Sequence, residues 1–357
     1  MIGGHLRLAL AGAITALLIL AGGVASVRTS AAPTALAFIA GGRAVAASTA
    51  LATVTPRPTG AVALPLSNPK ALESQLAAAG ITLPPGAAVY AAKVTKEGGG
   101  LAYDDYQAGG GALATNFWPA SSIKVLAAVG ALEFVGQHGF TGAATVAFGR
   151  GAPRPLRSIY DGAIRVSSNA DYDLLVELAG VDWLNKEFLT AARGFPATVI
   201  QRSYTLGGNL RTNPSVTLSE GGRRVTIPAR TGRVDTDCRQ GNCSNLFEMS
   251  ESVRRVVLHN EIPEPERFRI STADAAALTA ALLGAEGWFE PAVARVLGST
   301  ARIYKKPGQV PGRDCMDVAL IEARGQRLLL SATVPERQGG CPALVSLVTG
   351  VLRVLTG

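Results

Sequence analysis

The chain opens with an uncharged, mostly apolar run over residues 8–27, behind a weakly basic stretch over 1–7. Its length, that charge asymmetry and the small residues Gly23-Val24-Ala25 read as a signal peptide with its cleavage site. The run is also about as long as the roughly 20 residues that span a bilayer, so retention as a single membrane anchor is the alternative. From residue 28 to about 66 periodicity lapses. Ala, Thr, Pro and Gly dominate there, around Thr55-Pro56-Arg57-Pro58-Thr59-Gly60, which is the composition of a tether. Sustained patterns begin at residue 67 and continue to 357, as one folded domain.

Within that domain, Ser67-Asn68-Pro69 signals a helix over 71–79 that Gly80 stops. Strand-like runs at 87–94 and 101–106 flank Lys96-Glu97-Gly98-Gly99-Gly100, the pattern of a β-hairpin with a longer loop. Pro119-Ala120-Ser121-Ser122 opens a strongly apolar helix through residue 135, and further helices are expected over 171–179, 182–192, 246–257 and 273–283. The Arg-, Gly- and Thr-rich stretch 201–245 reads as an elaborated loop region, with a hairpin over 216–228 around Glu220-Gly221-Gly222. The end of the chain reads as strands at 302–306, 316–323 and 327–334, then a helix over 342–355. No internal repeat interrupts this order. Strands at both ends with helices between them predict an α+β fold. An antiparallel sheet built from the N- and C-terminal segments would be flanked by helices, the middle would form a helical lobe, and a site would lie between the two.

Composition narrows the class. With 357 residues, 48% hydrophobic and 17% charged, the chain buries a sizeable core. Lys and Arg (34) exceed Asp and Glu (26), giving +8. That balance favours anionic envelope surfaces and substrates bearing a carboxylate, although solubility alone accounts for it equally well. Basic clusters interleaved with aromatics and zinc-finger spacings are both lacking, which excludes nucleic acid as a partner. The four cysteines, Cys238, Cys243, Cys315 and Cys341, suit two disulfides in an oxidising compartment, either periplasmic or extracellular. Of three formal pairings, Cys238 with Cys243 closes a small loop and Cys315 with Cys341 ties a strand to the last helix; this pairing is favoured. None of His5, His138 and His259 is near a cysteine, so no metal site, and no other cofactor, is expected.

Three short motifs carry the chemistry: Ser121-Ser122-Ile123-Lys124, then Ser167-Ser168-Asn169, then Lys306-Pro307-Gly308. Residues three apart on a helix share a face, so Lys124 can reach the Ser121 hydroxyl, and a serine nucleophile needs such a base. A lysine with the ordinary pKa of about 10.4 is charged at neutral pH, so burial and a nearby cation must lower it. Lys306 would be that cation. Ser121 at a helix N-terminus also gains free backbone N–H groups and a positive dipole end where an oxyanion would form. Singly, the motifs read as a helix cap, a Ser-Asn turn and a surface lysine. Ser67-Asn68-Pro69-Lys70 fits the first pattern and Lys96-Glu97-Gly98 loosely the last, so order and context select the set. Other catalytic patterns are missing: no G-x-S-x-G elbow, no phosphate loop, and only helix-end histidines, His138 and His259, for a Ser-His-Asp triad.

In this order the motifs resemble the S-x-x-K, S-x-N and K-T-G set of class A β-lactamases and penicillin-binding proteins, over roughly residues 67–357. The resemblance implies an exported serine hydrolase that forms an acyl-enzyme on Ser121. Its substrates would be β-lactams or D-Ala-D-Ala-like peptides, small molecules or peptides with a carboxylate. It implies that the backbone N–H groups of Ser121 and of Gln309, the residue after Gly308, form the oxyanion hole. Ser167 would transfer protons between the lysines, and Asn169 would hold the substrate amide. Pro307 stands where the family has Thr or Ser, a hydroxyl that helps bind the carboxylate. Lys305 and Arg313 either supply that contact or are solvated loop charges. The stretch Gln201-Arg202-Ser203-Tyr204-Thr205-Leu206-Gly207-Gly208 lacks the glutamate of the family's Glu-x-x-Leu-Asn loop, which activates the deacylating water. Glu187, the nearest upstream acid, reads as a surface residue, and Asp317, which matches an acid common in the family, as a charge at a strand edge. Three functions follow: a lactamase-like or D,D-peptidase hydrolase, a penicillin-binding protein that deacylates slowly, or a non-catalytic envelope-binding module.

Overall fold

A six-stranded sheet organises the residues that the computed structural model describes, which are 69–357 without 98–99, 111, 114–116 and 235. The expected leader (1–27) and tether (28–66) lie outside the described residues, as do Ser67 and Asn68. The strand order is Lys70–Ala71, Gly100–Ala108, Ala88–Glu97, Gln326–Pro335, Asp314–Ala323 and Arg302–Val310. N- and C-terminal segments thus meet in one sheet. Its pairings are antiparallel apart from the short strand Lys70–Ala71, which runs parallel to its neighbour.

Period-two alternation sends successive residues of each central strand into two different cores. Val89 and Ala91, with Cys315, Ala319 and Ile321, pack under helix Gly340–Thr356 through Leu344, Leu347 and Val348. Tyr90 and Ala92, with Met316, Val318 and Leu320, face the helical lobe, including helices Lys124–Gln137 and Leu246–Val257. Because both faces are covered, the strands read as nearly unbroken apolar runs. Helix Lys124–Gln137 is buried at every position from Lys124 to Val135. An apolar sequence on all sides is what a helix without a solvent face requires.

The structure departs from the expected elements in four places. The first helix is Glu73–Ala78, because Lys70–Ala71 is held extended: Leu72 N donates to Gln107 O at 2.7 Å and Lys70 pairs with Asp104 at 2.5 Å. The helix expected over 182–192 is broken into Val181–Trp183, a π turn Leu184–Phe188 and a 3-10 turn Ala191–Arg193. There the Asn185 amide donates to Val181 O (2.6 Å) and Ile200 O (2.7 Å), a side-chain alternative to regular helix bonding. Helices Leu156–Arg165 and Glu290–Leu297 were not anticipated.

The 216–228 hairpin forms as strands Val216–Glu220 and Arg223–Ile227, with Gly221 and Gly222 at φ +56° and +80° as a two-residue type I′ turn demands. It joins Thr145–Phe148 and Arg154–Pro155 in a four-stranded sheet. Disulfides link Cys238 with Cys243 and Cys315 with Cys341, with Cα atoms 5.8 and 5.1 Å apart. Among the described residues, no helix is long and apolar enough to cross a membrane.

Candidate active site

Ser121 sits in a 3-10 turn, Ala120–Ile123, that runs directly into helix Lys124–Gln137. Its neighbour Ser122 is fully buried and ties the turn down, donating through N (3.1 Å) and Oγ (2.5 Å) to Pro119 O. Ser121 itself is only partly buried, which leaves it as the accessible hydroxyl. Ala120, just before it, adopts φ +46°, in the left-handed region.

The edge strand Arg302–Val310 packs against this turn. Gly308 makes that approach feasible, because a Cβ there would lie 2.8 Å from Pro119 O, 2.9 Å from Met316 Cγ and 3.1 Å from Ala120 Cβ. Gly308→Ala is therefore expected to destabilise the fold by about 1–3 kcal/mol, the usual cost of overpacking. The same displacement should impair any reaction at Ser121. A denaturation midpoint equal to that of wild type would contradict this packing argument. Pro307, opposite Asp317, is tolerated in mid-strand because an edge strand pairs on one side only.

Two buried amino groups converge on one hydroxyl. Lys124 Nζ donates to Ser167 O (2.5 Å), Ser167 Oγ (3.2 Å) and Asn169 Oδ1 (2.7 Å). Lys306 Nζ donates to Ser167 Oγ (2.9 Å) and Pro307 O (3.2 Å). Both lysines are inaccessible to solvent. Burial first, and then repulsion from Lys306, brings the Lys124 pKa down to about 7 against the pull of Asp173 and Asp171. Burial likewise lowers Lys306 to about 8, opposed by Asp317.

Local backbone chemistry places Ser167 between them. Ser167 adopts φ +57°, and Ser168 caps helix Asn169–Ala179 by accepting from Asp171 N at 3.1 Å. A serine hydroxyl has one proton and two lone pairs, so Ser167 Oγ can accept from one lysine while donating to the other once that one is neutral. Asn169 gives its carbonyl oxygen to Lys124 and is otherwise exposed, which leaves its NH₂ group facing outward. Among the described residues, Ser121 Oγ is not a hydrogen-bond partner of Lys124, whose ammonium is engaged at Ser167 and Asn169.

The remaining residues singled out from sequence fall at different distances from this centre. Gln309 directs its side chain outward to Glu336 Oε1 at 3.0 Å. Arg313 stands at the rim, its guanidinium 5.6 Å from the ring centroid of Trp118 and its Nε 3.4 Å from Asp314. Arg202 lies over the same ring at 5.2 Å. Lys305 is a correction: strand alternation sends it to the opposite sheet face from Lys306, where it pairs with Glu290 at 3.0 Å, away from Ser167.

Asp317 is another correction. It is fully buried rather than a strand-edge charge, and accepts from Trp288 N (2.7 Å), Phe289 N (3.2 Å) and Val318 N (2.9 Å). Burial raises its pKa to about 7. Glu187 is exposed, as its position suggested.

Sequence reasoning missed Asp173 and Tyr204. Asp173 lies one turn beyond Asn169 on the same helix face, a spacing that offered a signal. Its carboxylate organises the next loop, accepting from Ser203 Oγ (2.6 Å), Tyr204 N (2.8 Å), Thr205 N (3.0 Å) and Thr205 Oγ1. Tyr204, so held, stacks on Tyr172 with ring centroids 4.5 Å apart and puts its own ring 5.6 Å from Lys124 Nζ. Nothing in the local sequence announces that placement.

No protein-family model and no curated protein sequence matches this chain. Solved structures do match. A class A β-lactamase from Mycobacterium abscessus superposes with a TM-score of 0.55 at 16% identity, over 80% of this chain and 99% of that one. This is the class A β-lactamase and penicillin-binding-protein fold. A β-lactamase from Xanthomonas campestris pv. campestris gives a TM-score of 0.55 at 16% identity, covering 80% of this chain and 96% of that one. A variant of PBP-A, solved as its acyl-enzyme complex with penicillin G, gives 0.54 at 17% identity over 81% and 97%. In the β-lactamase-like fold of this chain the helical lobe and the sheet contribute one lysine each to the Ser167 hydroxyl.

Proposed function

We propose that the domain over residues 67–357 is an exported serine acyl-transfer enzyme that reacts through Ser121 with β-lactams or D-Ala-D-Ala-like peptides. The observation that carries this reading is the Lys124–Ser167–Lys306 chain beside a serine at a helix start. A neutral Lys124 takes the Ser121 proton as Oγ bonds to the carbonyl carbon of the substrate. The backbone N–H groups of Ser121 and Gln309 receive the oxyanion. The C–N bond then breaks, and the proton passes through Ser167 to the departing nitrogen. Lys306 remains charged, the Asn169 NH₂ holds the substrate amide, and Arg313 at the rim meets the carboxylate in place of the hydroxyl that Pro307 lacks. The two disulfides suit an oxidising compartment, and the 8–27 run would direct export.

A second reading concerns turnover, and Asp173 favours it. The acid nearest the loop that follows the site has its oxygens committed to four donors, so it is poorly placed to activate a water. The acyl-enzyme is then long-lived, as in a penicillin-binding protein with slow deacylation. Labelling with a fluorescent penicillin, wild type beside Ser121→Ala, tests the nucleophile. A fluorescent band in wild type alone supports the reading; a band of equal strength in the variant places the reaction on another residue.

A further inference from the structure

We infer that Tyr204 is a positioning residue whose hydroxyl fixes the Ala120–Ser121 peptide, so that the Ser121 N–H faces the carbonyl under attack. This deepens the proposed function and rests on Ser121 being the nucleophile. Tyr204 OH donates to Ala120 O at 2.6 Å. That carbonyl and the Ser121 N–H belong to one peptide unit, and in a planar trans peptide the C=O and N–H point in opposite directions. Holding the oxygen toward Tyr204 therefore aims the N–H the other way. A carbonyl that accepts a hydrogen bond also polarises its amide, making the N–H a better donor.

The peptide needs such a hold. Ala120 at φ +46° occupies a conformation that costs a residue with a Cβ about 1–2 kcal/mol, and it persists only where the surroundings over-determine it. Ser122 fixes the turn on its C-terminal side and Gly308 presses from the sheet, but neither bonds the Ala120 oxygen.

Tyr204 is stiff enough for this task. Its backbone N is tied to Asp173, and its ring stacks on Tyr172. The Tyr172 hydroxyl donates to Arg202 O (3.1 Å) and accepts from Asn242 Nδ2 (2.8 Å). Asn242 Oδ1 in turn takes Gln201 N and Arg202 N at 2.9 and 3.0 Å. The phenol thus hangs from the helix that also supplies Asn169. Desolvation pushes its pKa up to about 12, so it stays a donor at any working pH.

The Tyr204→Phe variant keeps the ring, its stacking and its place beside Lys124, and removes the hydroxyl with its bond to Ala120 O and its approach to Asn242 and Trp118. Removing one oxyanion donor outright costs roughly 10²–10³-fold in rate, so misaiming one is expected to slow acylation by about 10- to 100-fold. Stopped-flow acylation by a fluorescent penicillin separates that rate constant from the dissociation constant of the preceding complex, which should not change. An unchanged rate constant, or a loss confined to the dissociation constant, would overturn the inference. Crystal structures of wild type and variant give a readout independent of turnover: the 120–121 peptide plane is expected to rotate in the variant, and an unmoved plane refutes the positioning role. If wild type takes no label, the reading of Ser121 falls, and the peptide comparison still decides the role of Tyr204.

Discussion

Acylation of Ser121 is expected to slow by roughly 10²–10⁴-fold in a Lys124→Met variant, the range that a positioned general base contributes. Methionine nearly conserves the buried volume and removes a charge that the protein interior disfavours, so the variant should fold. The loss would then belong to chemistry, not to stability. It would appear in the acylation rate constant at all accessible pH values, with binding of the substrate little altered. A variant that acylates within a few-fold of wild type would show that Lys124 is not the base and that its contacts with Ser167 and Asn169 are structural.

The second large effect is on pH dependence. Lys124 must be neutral to accept a proton, and Lys306 must be charged to hold Ser167 and repel a proton from Lys124. With pKa values of about 7 and about 8, the rate should rise as pH climbs through 7 and fall again above 8. The limbs belong to the coupled pair, since each lysine feels the other. In Lys306→Met the repulsion is gone, so Lys124 holds its proton more tightly and the rising limb moves to higher pH. The descending limb disappears with the group that titrates. At pH 7 the variant is expected to acylate about fivefold more slowly or worse, because moving the limb up from about 7 by one unit leaves roughly a tenth of the amine neutral instead of half. An unchanged rising limb would mean that Lys306 does not act on Lys124.

Much of the fold was legible because the strands and helices carry their own signatures. Met316, Val318 and Leu320 alternate with Cys315, Ala319 and Ile321, and the run from Val125 to Val135 is apolar on every side apart from Glu133. The Gly221-Gly222 turn fixed one hairpin locally. What escaped depends on distant partners. Lys70–Ala71 contains good helix formers and became a strand only because Gly100–Ala108 offers an edge. The 182–192 segment has helical periodicity, yet Asn185 finds Ile200 O instead of continuing the helix.

The site divides in the same way. Ser121, Lys124, Ser167, Asn169 and Lys306 stand in short motifs whose spacing can be read along the chain. Lys305 and Lys306 look equivalent in sequence, and strand parity alone separates the residue bonded to Ser167 from the one paired with Glu290. Asp317 looks like an edge charge until Trp288 and Phe289 close over it. Tyr204 reaches Ala120 across 84 positions through a loop hung on Asp173, and no local pattern encodes such a contact.

The most direct test of the central claim is intact-mass spectrometry of the protein incubated with benzylpenicillin, wild type beside Ser121→Ala, followed over hours. One adduct of a single penicillin is expected on wild type, mapped to the peptide containing Ser121, persisting through the time course and missing from the variant. A wild-type protein that never gains the adduct, or a variant that gains it equally, would show that Ser121 is not the nucleophile.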